Sequence, residues 1–254
     1  MINHKKITQR FNRYLPGIEA ARNQEISYAI TEDAAVLGGA PAEFSGGFGY
    51  ALWAVDFNLA AMSRGVARVT NLAGRPVAKR VFWVPDDSGE DAGNPGPHVR
   101  APYPAAIFVA DFVGAEDPSA VVEVATGNDL MSAYAMYNED SGSLQKVAIV
   151  NMRLYNGTLD TPREREQFQI PVGDEVETVT VRRLRADLGV AAMGYDFGGP
   201  DSNVTWAGEQ WSHAIDLGNG HFPSGGVQEK TIDVVDGVAT VVIPDSEAVI
   251  MFIR

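Results

Sequence analysis

Apolar positions along this chain recur in two regimes, helical in the first half and strand-like in the second. From Asn3 to Arg22, Ile7, Phe11, Leu15 and Ile18 follow one another at intervals of four, four and three, which puts them on one helical face. Pro16 predicts a break after Tyr14 or Leu15, since a proline inside a helix removes a hydrogen bond and crowds the preceding turn. A stripe that begins this early needs a cover, and nothing upstream in the chain supplies one, so it is expected to lie open. Ile26 to Thr31 is a short apolar and β-branched run that ends in two carboxylates, Glu32 and Asp33. A Gly-rich loop at 38–49 then leads to an amphipathic helix from about Tyr50 to Ser63, on which Leu52, Val55, Leu59 and Met62 step by three, four and three. Trp53 and Phe57 widen its apolar face, and Asp56 between them reads as solvated or bonded to its own helix. Gly65 stops the helix and Val66 to Leu72 reads as a second strand. Strand, helix and strand at this spacing predict a right-handed parallel crossover unit.

Residues 73–101 form a long Gly, Pro and Asp rich loop interrupted by Val81 to Pro85, the length at which a loop is a functional lid or an insert. Pro102 to Val113 resumes helical patterning, and Gly114 to Ser119 marks the best boundary, dividing the chain into 1–117 and 118–254. Beyond it the pattern turns to short strands: Val121–Ala125, Ser132–Tyr137, Gln145–Met152, Thr178–Leu184, Val204–Trp206, Thr231–Val235, Ala239–Ile243 and Ala248–Ile253. Glu139 to Ser143 reads as one hairpin turn and Asp236-Gly237 as a two-residue turn favouring positive φ. Strands at this spacing predict an antiparallel sandwich.

Composition narrows what such a chain can do. With 254 residues and 45% hydrophobic content it can bury a large core. A net charge of −13 argues against a nucleic-acid partner, because phosphate binding needs clustered Lys and Arg. No apolar run approaches the roughly 20 residues that a membrane-spanning helix requires, so no membrane partner is expected. Cysteine is absent, which excludes disulfides and thiolate metal sites. Asn156-Gly-Thr158 and Asn203-Val-Thr205 fit the glycosylation acceptor pattern, at a frequency close to chance.

The acidic tip of the first strand is the place for chemistry, because strand ends that open into loops hold side chains rigidly at a cleft. Successive strand residues point to opposite faces, so Glu32 and Asp33 do not share one cavity. Either one is functional and the other supports it, or neither is.

The segment from Ile30 to Val69, with Glu32-Asp33, Gly46-Gly47 and the helix motif Ala51-Leu52-Trp53-Ala54-Val55-Asp56, resembles the second catalytic-carboxylate region of fungal β-glucuronidases in glycoside hydrolase family 79. The likeness continues through Pro102-Tyr103-Pro104 into Val204–Trp211 and Asp236–Phe252, and so covers nearly all of this chain but only the later part of the family's protein. The resemblance implies an α/β plus all-β architecture, a partial (β/α)8-barrel remnant followed by an antiparallel β-sandwich. It implies a retaining glycosidase with two carboxyl groups about 5 to 5.5 Å apart, one attacking the anomeric carbon and one protonating the leaving oxygen. Glu32 takes the position of the nucleophile. The family's acid/base is an Asn-Glu pair on an earlier barrel strand, and no such pair precedes Glu32; Asn138-Glu139 sits at the hairpin turn and reads as a coincidence. The chain alone is therefore expected to be inactive.

In the family, the loop after the last barrel strand holds the glucuronate carboxyl group with a Tyr and backbone donors, but Asn71 to Trp83 has no Tyr here. Arg75, Lys79 and Arg80 are the cations that could replace it through charge-assisted hydrogen bonds. The resemblance implies a β-glucuronide or related glycoside as partner, an extracellular location, and neither cofactor nor metal. The rival reading is a non-catalytic carbohydrate-binding or accessory β-sandwich module, which glycan binding by residues 120–254 alone, unaffected by Glu32→Gln, would favour.

Overall fold

The computed structural model describes residues 2–33, 42–71, 82–85, 96–114 and 119–253. The expected N-terminal helix is two helices, α1 (His4–Phe11) and α2 (Leu15–Asn23), with Pro16 in the first turn of α2, where its missing N–H costs nothing. Parallel strands β1 (Tyr28–Asp33) and β2 (Val66–Asn71) flank the short α3 (Ala42–Ser45) and the long α4 (Phe48–Ser63), as the crossover pattern predicts. The two strand ends meet where Asp33 pairs with Asn71.

α4 is heavily buried, as the face widened by Trp53 and Phe57 predicts, and with thirteen buried residues it is a core helix rather than one with a single apolar stripe. The stripe on α1 is not open. Ile7 and Phe11 are buried against α4, with the Phe11 and Phe57 rings 4.9 Å apart, so the cover comes from downstream in the same chain.

Asp56 is not solvated either. It is fully buried on α4 and accepts hydrogen bonds from the Tyr134 hydroxyl at 2.5 Å and from His4 Nδ1 at 3.1 Å. The other His4 nitrogen, Nε2, lies 3.1 Å from Glu123 Oε1, and Arg64 donates to Glu123 Oε2 at 2.7 Å. Carboxylates on both sides make the imidazole a double donor. Burial disfavours its charge, but the two carboxylates outweigh burial and raise the His4 pKa from 6.5 to about 9.

The long loop of the sequence contributes two short strands among its described residues. Its described ends pair antiparallel as β3 (Trp83–Val84) and β4 (His98–Val99) before α5 (Tyr103–Val113). The remaining strands are β5 (Ser119–Val124), β6 (Met131–Asn138), β7 (Leu144–Asn151), β8 (Arg165–Pro171), β9 (Thr178–Ala186), β10 (Val204–Trp206), β11 (Gln210–Trp211), β12 (Gly220–His221), β13 (Glu229–Val235), β14 (Val238–Pro244) and β15 (Glu247–Ile253). Between β9 and β13 lie two one-turn helices, α6 (Tyr195–Gly198) and α7 (His213–Asp216).

Nine strands form one antiparallel sheet in the order β5-β6-β7-β15-β9-β13-β14-β8, with β10 on β9. Alternation divides its two faces. Tyr134, Met136, Ala148, Val150, Leu184 and Ile250 belong to the core shared with α4 and α5. Val147, Ile149, Val179, Val181, Val249 and Met251 face the other way, against Ala239, Val241 and Ile243 of β14 and Phe168 and Ile170 of β8. The sheet therefore curls until β14 and β8 cover its own centre, as a continuous path rather than two separate sheets. The Asp236-Gly237 turn takes positive φ at both residues (50° and 70°), as its sequence predicts.

The pH dependence of stability follows from the network at Asp56. Because the folded pKa of His4 lies above its unfolded value, its stabilisation is fully present below about pH 6.5 and lost as pH rises through about 9. Its full size is on the order of 3 kcal/mol. Denaturant midpoints between pH 6 and 10 should fall along this limb in the parent, and the fall should flatten in His4→Gln. Asp56→Ala should cost about 3–5 kcal/mol in urea unfolding, since it strands a buried imidazolium.

Candidate functional site

Of the residues singled out in the sequence, the described structure places the backbone of Glu32 and Asp33, at the carboxyl end of β1 beside that of β2. The backbone puts Glu32 one residue before the end of β1, at an irregularity in the parallel pairing where the register shifts between the Thr31–Thr70 and Asp33–Asn71 pairs. Strand ends of parallel units carry catalytic side chains because the strand fixes the backbone while the loops leave room for a substrate. The side chains of Glu32 and Asp33, and the whole of Arg75, Lys79 and Arg80, lie outside the described residues; the three cations belong to the segment that leaves β2 after Asn71. Asn138 closes the β6–β7 hairpin, its Oδ1 accepting from the Asp140 and Ser141 N–H groups, and Glu139 is exposed in that turn. No group of three or more His, Cys, Asp or Glu side chains able to hold a metal ion occurs among the described residues.

Next to this strand end lies a cleft that sequence reasoning did not find. Asn71, the last residue of β2, and Phe82 line one small cavity between α4 and α5, so the chain returns to the strand end just before Trp83. The Phe82 ring lies 6.4 Å from that of Tyr103, which with Trp83, Val99, His98, His213 and Leu217 lines a separate cleft of about 400 Å³, within the roughly 300–1,000 Å³ of small-molecule sites. The Trp83 ring meets Tyr103 almost perpendicularly (87°, centroids 5.8 Å apart), and Tyr103 meets Trp211 in the same way at 5.6 Å.

Asp196 holds the two walls of the cleft together. Its carboxylate accepts from the Val99 N–H on one wall, and from the Ser212 hydroxyl and the His213 and Ala214 N–H groups at the start of α7 on the other, at 2.6–3.1 Å. Burial opposes its ionisation, but these donors outweigh burial and keep its pKa below the usual carboxylate value. The signals in the sequence were slight: a Phe-Trp pair inside a loop and isolated histidines, with no periodicity to join segments about a hundred residues apart.

Comparison with known proteins agrees with the fold. Residues 133–250 match the family model described as the glycosyl hydrolase family 79 C-terminal beta domain. A β-glucuronidase of Aspergillus niger is 30% identical over 228 residues, covering 84% of this chain and 38% of that protein. A β-glucuronidase of Neurospora crassa is 28% identical over 204 residues, covering 68% of this chain and 33% of that protein. Among solved structures, a 4-O-α-L-rhamnosyl-β-D-glucuronidase from Fusarium oxysporum superimposes with a TM-score of 0.76 at 19% identity, covering 99% of this chain and 49% of that one. The chain thus spans between a third and two fifths of the length of these curated relatives, and it resembles their later part.

Removing the Asp196 carboxylate should release both walls of the cleft. Asp196→Ala is expected to lower stability by about 2–3 kcal/mol in urea unfolding. It should also speed amide exchange at Val99, His213 and Ala214 ahead of the sheet.

Proposed function

We propose that this chain, which is similar to the C-terminal portion of family 79 glycoside hydrolases, carries the nucleophile strand and the β domain of a retaining β-glucuronidase-type enzyme. The observation that carries the reading is the position of Glu32 at the carboxyl end of a strand paired in parallel with a second one, within a chain aligned over 84% of its length to a β-glucuronidase. Parallel sheets are ordinarily covered on both faces and continued by further strands. Here Ala29 and Thr31 of β1 and Ala67 and Thr70 of β2 are exposed, which is what two strands of a barrel would look like without their neighbours. On this reading residues 1–117 belong to a (β/α)8 barrel, and residues 118–254 form the sandwich-like β domain that closes on it.

In a retaining mechanism the Glu32 carboxylate attacks the anomeric carbon, the glycosidic bond breaks, and a covalent glycosyl ester forms while an acid donates a proton to the departing oxygen. That acid is the Asn-Glu carboxyl group of the family, for which this chain has no counterpart on a strand before Glu32. Glu32 could then attack but not finish a turnover on an ordinary glycoside. Arg75, Lys79 and Arg80, on the segment after β2, would pair with the sugar carboxylate.

A substrate whose leaving group needs no proton separates these roles. With a 2-deoxy-2-fluoro-β-glucuronosyl fluoride, fluoride departs unaided and the ester should accumulate on Glu32, found by peptide mass spectrometry and absent in Glu32→Gln. An ordinary alkyl β-glucuronide should not be turned over. Label on another carboxylate, or unassisted turnover of the alkyl glucuronide by the chain, would overturn the assignment.

A further inference from the structure

The cleft beside Trp83 is lined in a way that suits a different part of a glycan from the uronate. Among the described residues around it there is no Lys, Arg, Asp or Glu; its polar groups are the imidazoles of His98 and His213 and the Tyr103 phenol. His98 is already committed, with Nδ1 at 2.6 Å from the Gly96 carbonyl, which leaves His213 on the opposite wall as the adaptable donor or acceptor. A carboxylate entering between these walls would lose its hydration without meeting a cation among the described residues, whereas an uncharged ring loses little.

The walls also suit a ring rather than a chain. Trp83 is 49% exposed, while Trp53, Trp206 and Trp211 are all buried, so it is the tryptophan that presents surface to the cleft. An indole attracts the polarised C–H groups on the flat side of a pyranose, and the hydroxyls at the ring's edge are left for imidazole. Leu217 forms the opposing lip. It is 77% exposed and held at φ 51°, the left-handed position that ends α7, where its N–H bonds the His213 carbonyl and the Gly218 N–H bonds that of Ser212. Glycine is the ordinary residue at such a helix end. A leucine there gains nothing from the backbone and exposes its side chain to water, so its use is the apolar wall it gives the cleft.

We propose that this cleft is a subsite for a neutral pyranose, the sugar next to the uronate in the glycan, stacked on Trp83 and hydrogen-bonded by His213. Its place in the glycan rests on the proposed hydrolytic role of the β1–β2 strand end, where Phe82 lines a cavity with Asn71 and its ring also meets that of Tyr103 in the cleft wall. The stacking itself does not depend on that role.

The test uses the intact chain and the fluorescence of its exposed tryptophan. Methyl β-D-galactopyranoside, methyl β-D-glucopyranoside and methyl β-D-xylopyranoside are titrated while acrylamide quenching is followed, with glucuronic acid as the charged control. At least one neutral glycoside should protect Trp83 saturably, with affinity on the order of millimolar, and glucuronic acid should bind at least tenfold more weakly. His213→Ala and Leu217→Gly should each weaken protection several-fold, and Trp83→Ala should abolish binding of the same glycoside measured by isothermal titration calorimetry. Leu217→Gly should at the same time leave the unfolding midpoint unchanged or higher, an outcome that a merely structural leucine would not give. Disaccharides carrying the neutral sugar before or after a glucuronate then show on which side the subsite lies. No protection by any neutral sugar, equal protection by glucuronic acid, or affinity untouched by the three substitutions would overturn the proposal. Glu32→Gln serves as the control that separates the two readings: sugar protection without labelling at residue 32 condemns only the hydrolytic one, and labelling without protection condemns only this one.

Discussion

A carboxylate fully buried in the middle of an apolar helix constrains everything around it. Asp56 sits among the packed residues of α4, and leaving it unpaired there would cost several kcal/mol. Its partners come from two other elements, the Tyr134 hydroxyl on β6 and the His4 imidazole at the start of α1. Those bonds exist only if α1 lies across α4 at one rotation and β6 passes α4 in one register. Glu123 and Arg64 complete the charge pattern, and the Arg64 guanidinium also lies 5.0 Å from the Phe11 ring. The helical half is thus keyed to the sheet by a polar contact with few alternatives, set within a hydrophobic interface that would tolerate many.

The sheet transmits that registry to the rest of the chain. One of its faces packs on α4 and α5, where Lys146 from β7 donates to the last carbonyls of α5 and Arg182 from β9 pairs with Asp111. A cation at a helix C-terminus complements both the free carbonyls and the helix dipole. Since α5 begins directly after β4, fixing α5 also fixes one wall of the Trp83 cleft. The excursion between β9 and β13 brings Asp196 and α7 to the other wall, so two segments about a hundred residues apart form one pocket only because the sheet and α5 are already in place.

Periodicity made most of this legible. The crossover unit, α5, the Asp236-Gly237 turn and all eight strands expected beyond residue 120 depend on local pattern, and local pattern is what a sequence displays. The strand β8 was missed because it is a charged edge strand, Arg-Glu-Gln-Phe-Gln-Ile-Pro, in which Phe168 and Ile170 alone point inward, and edges are commonly charged. Asp56 was misjudged for a different reason: a carboxylate between apolar neighbours looks the same whether water or a distant tyrosine satisfies it. The open stripe on α1 was an error of direction, since its cover lies some forty residues downstream. Glu32 was legible as a strand-end carboxylate from the residues and as a nucleophile only through the family resemblance, while the cleft required tertiary contacts.

Charge decides how the two parts of the proposed site would share the work. At a net charge of −13 the protein repels an approaching uronate, so long-range steering cannot be what concentrates an anionic glycan at β1 and β2. Short-range cations such as those at 75, 79 and 80 act within about a Debye length of 8–10 Å and lose strength as salt rises. Stacking of an uncharged ring on Trp83 feels neither the repulsion nor the salt. A glycan held first by its neutral sugar would bring its uronate into the reach of those cations without crossing the field as a free anion, which makes a cleft with no charged side chain among its described lining residues the complement of a net-negative chain.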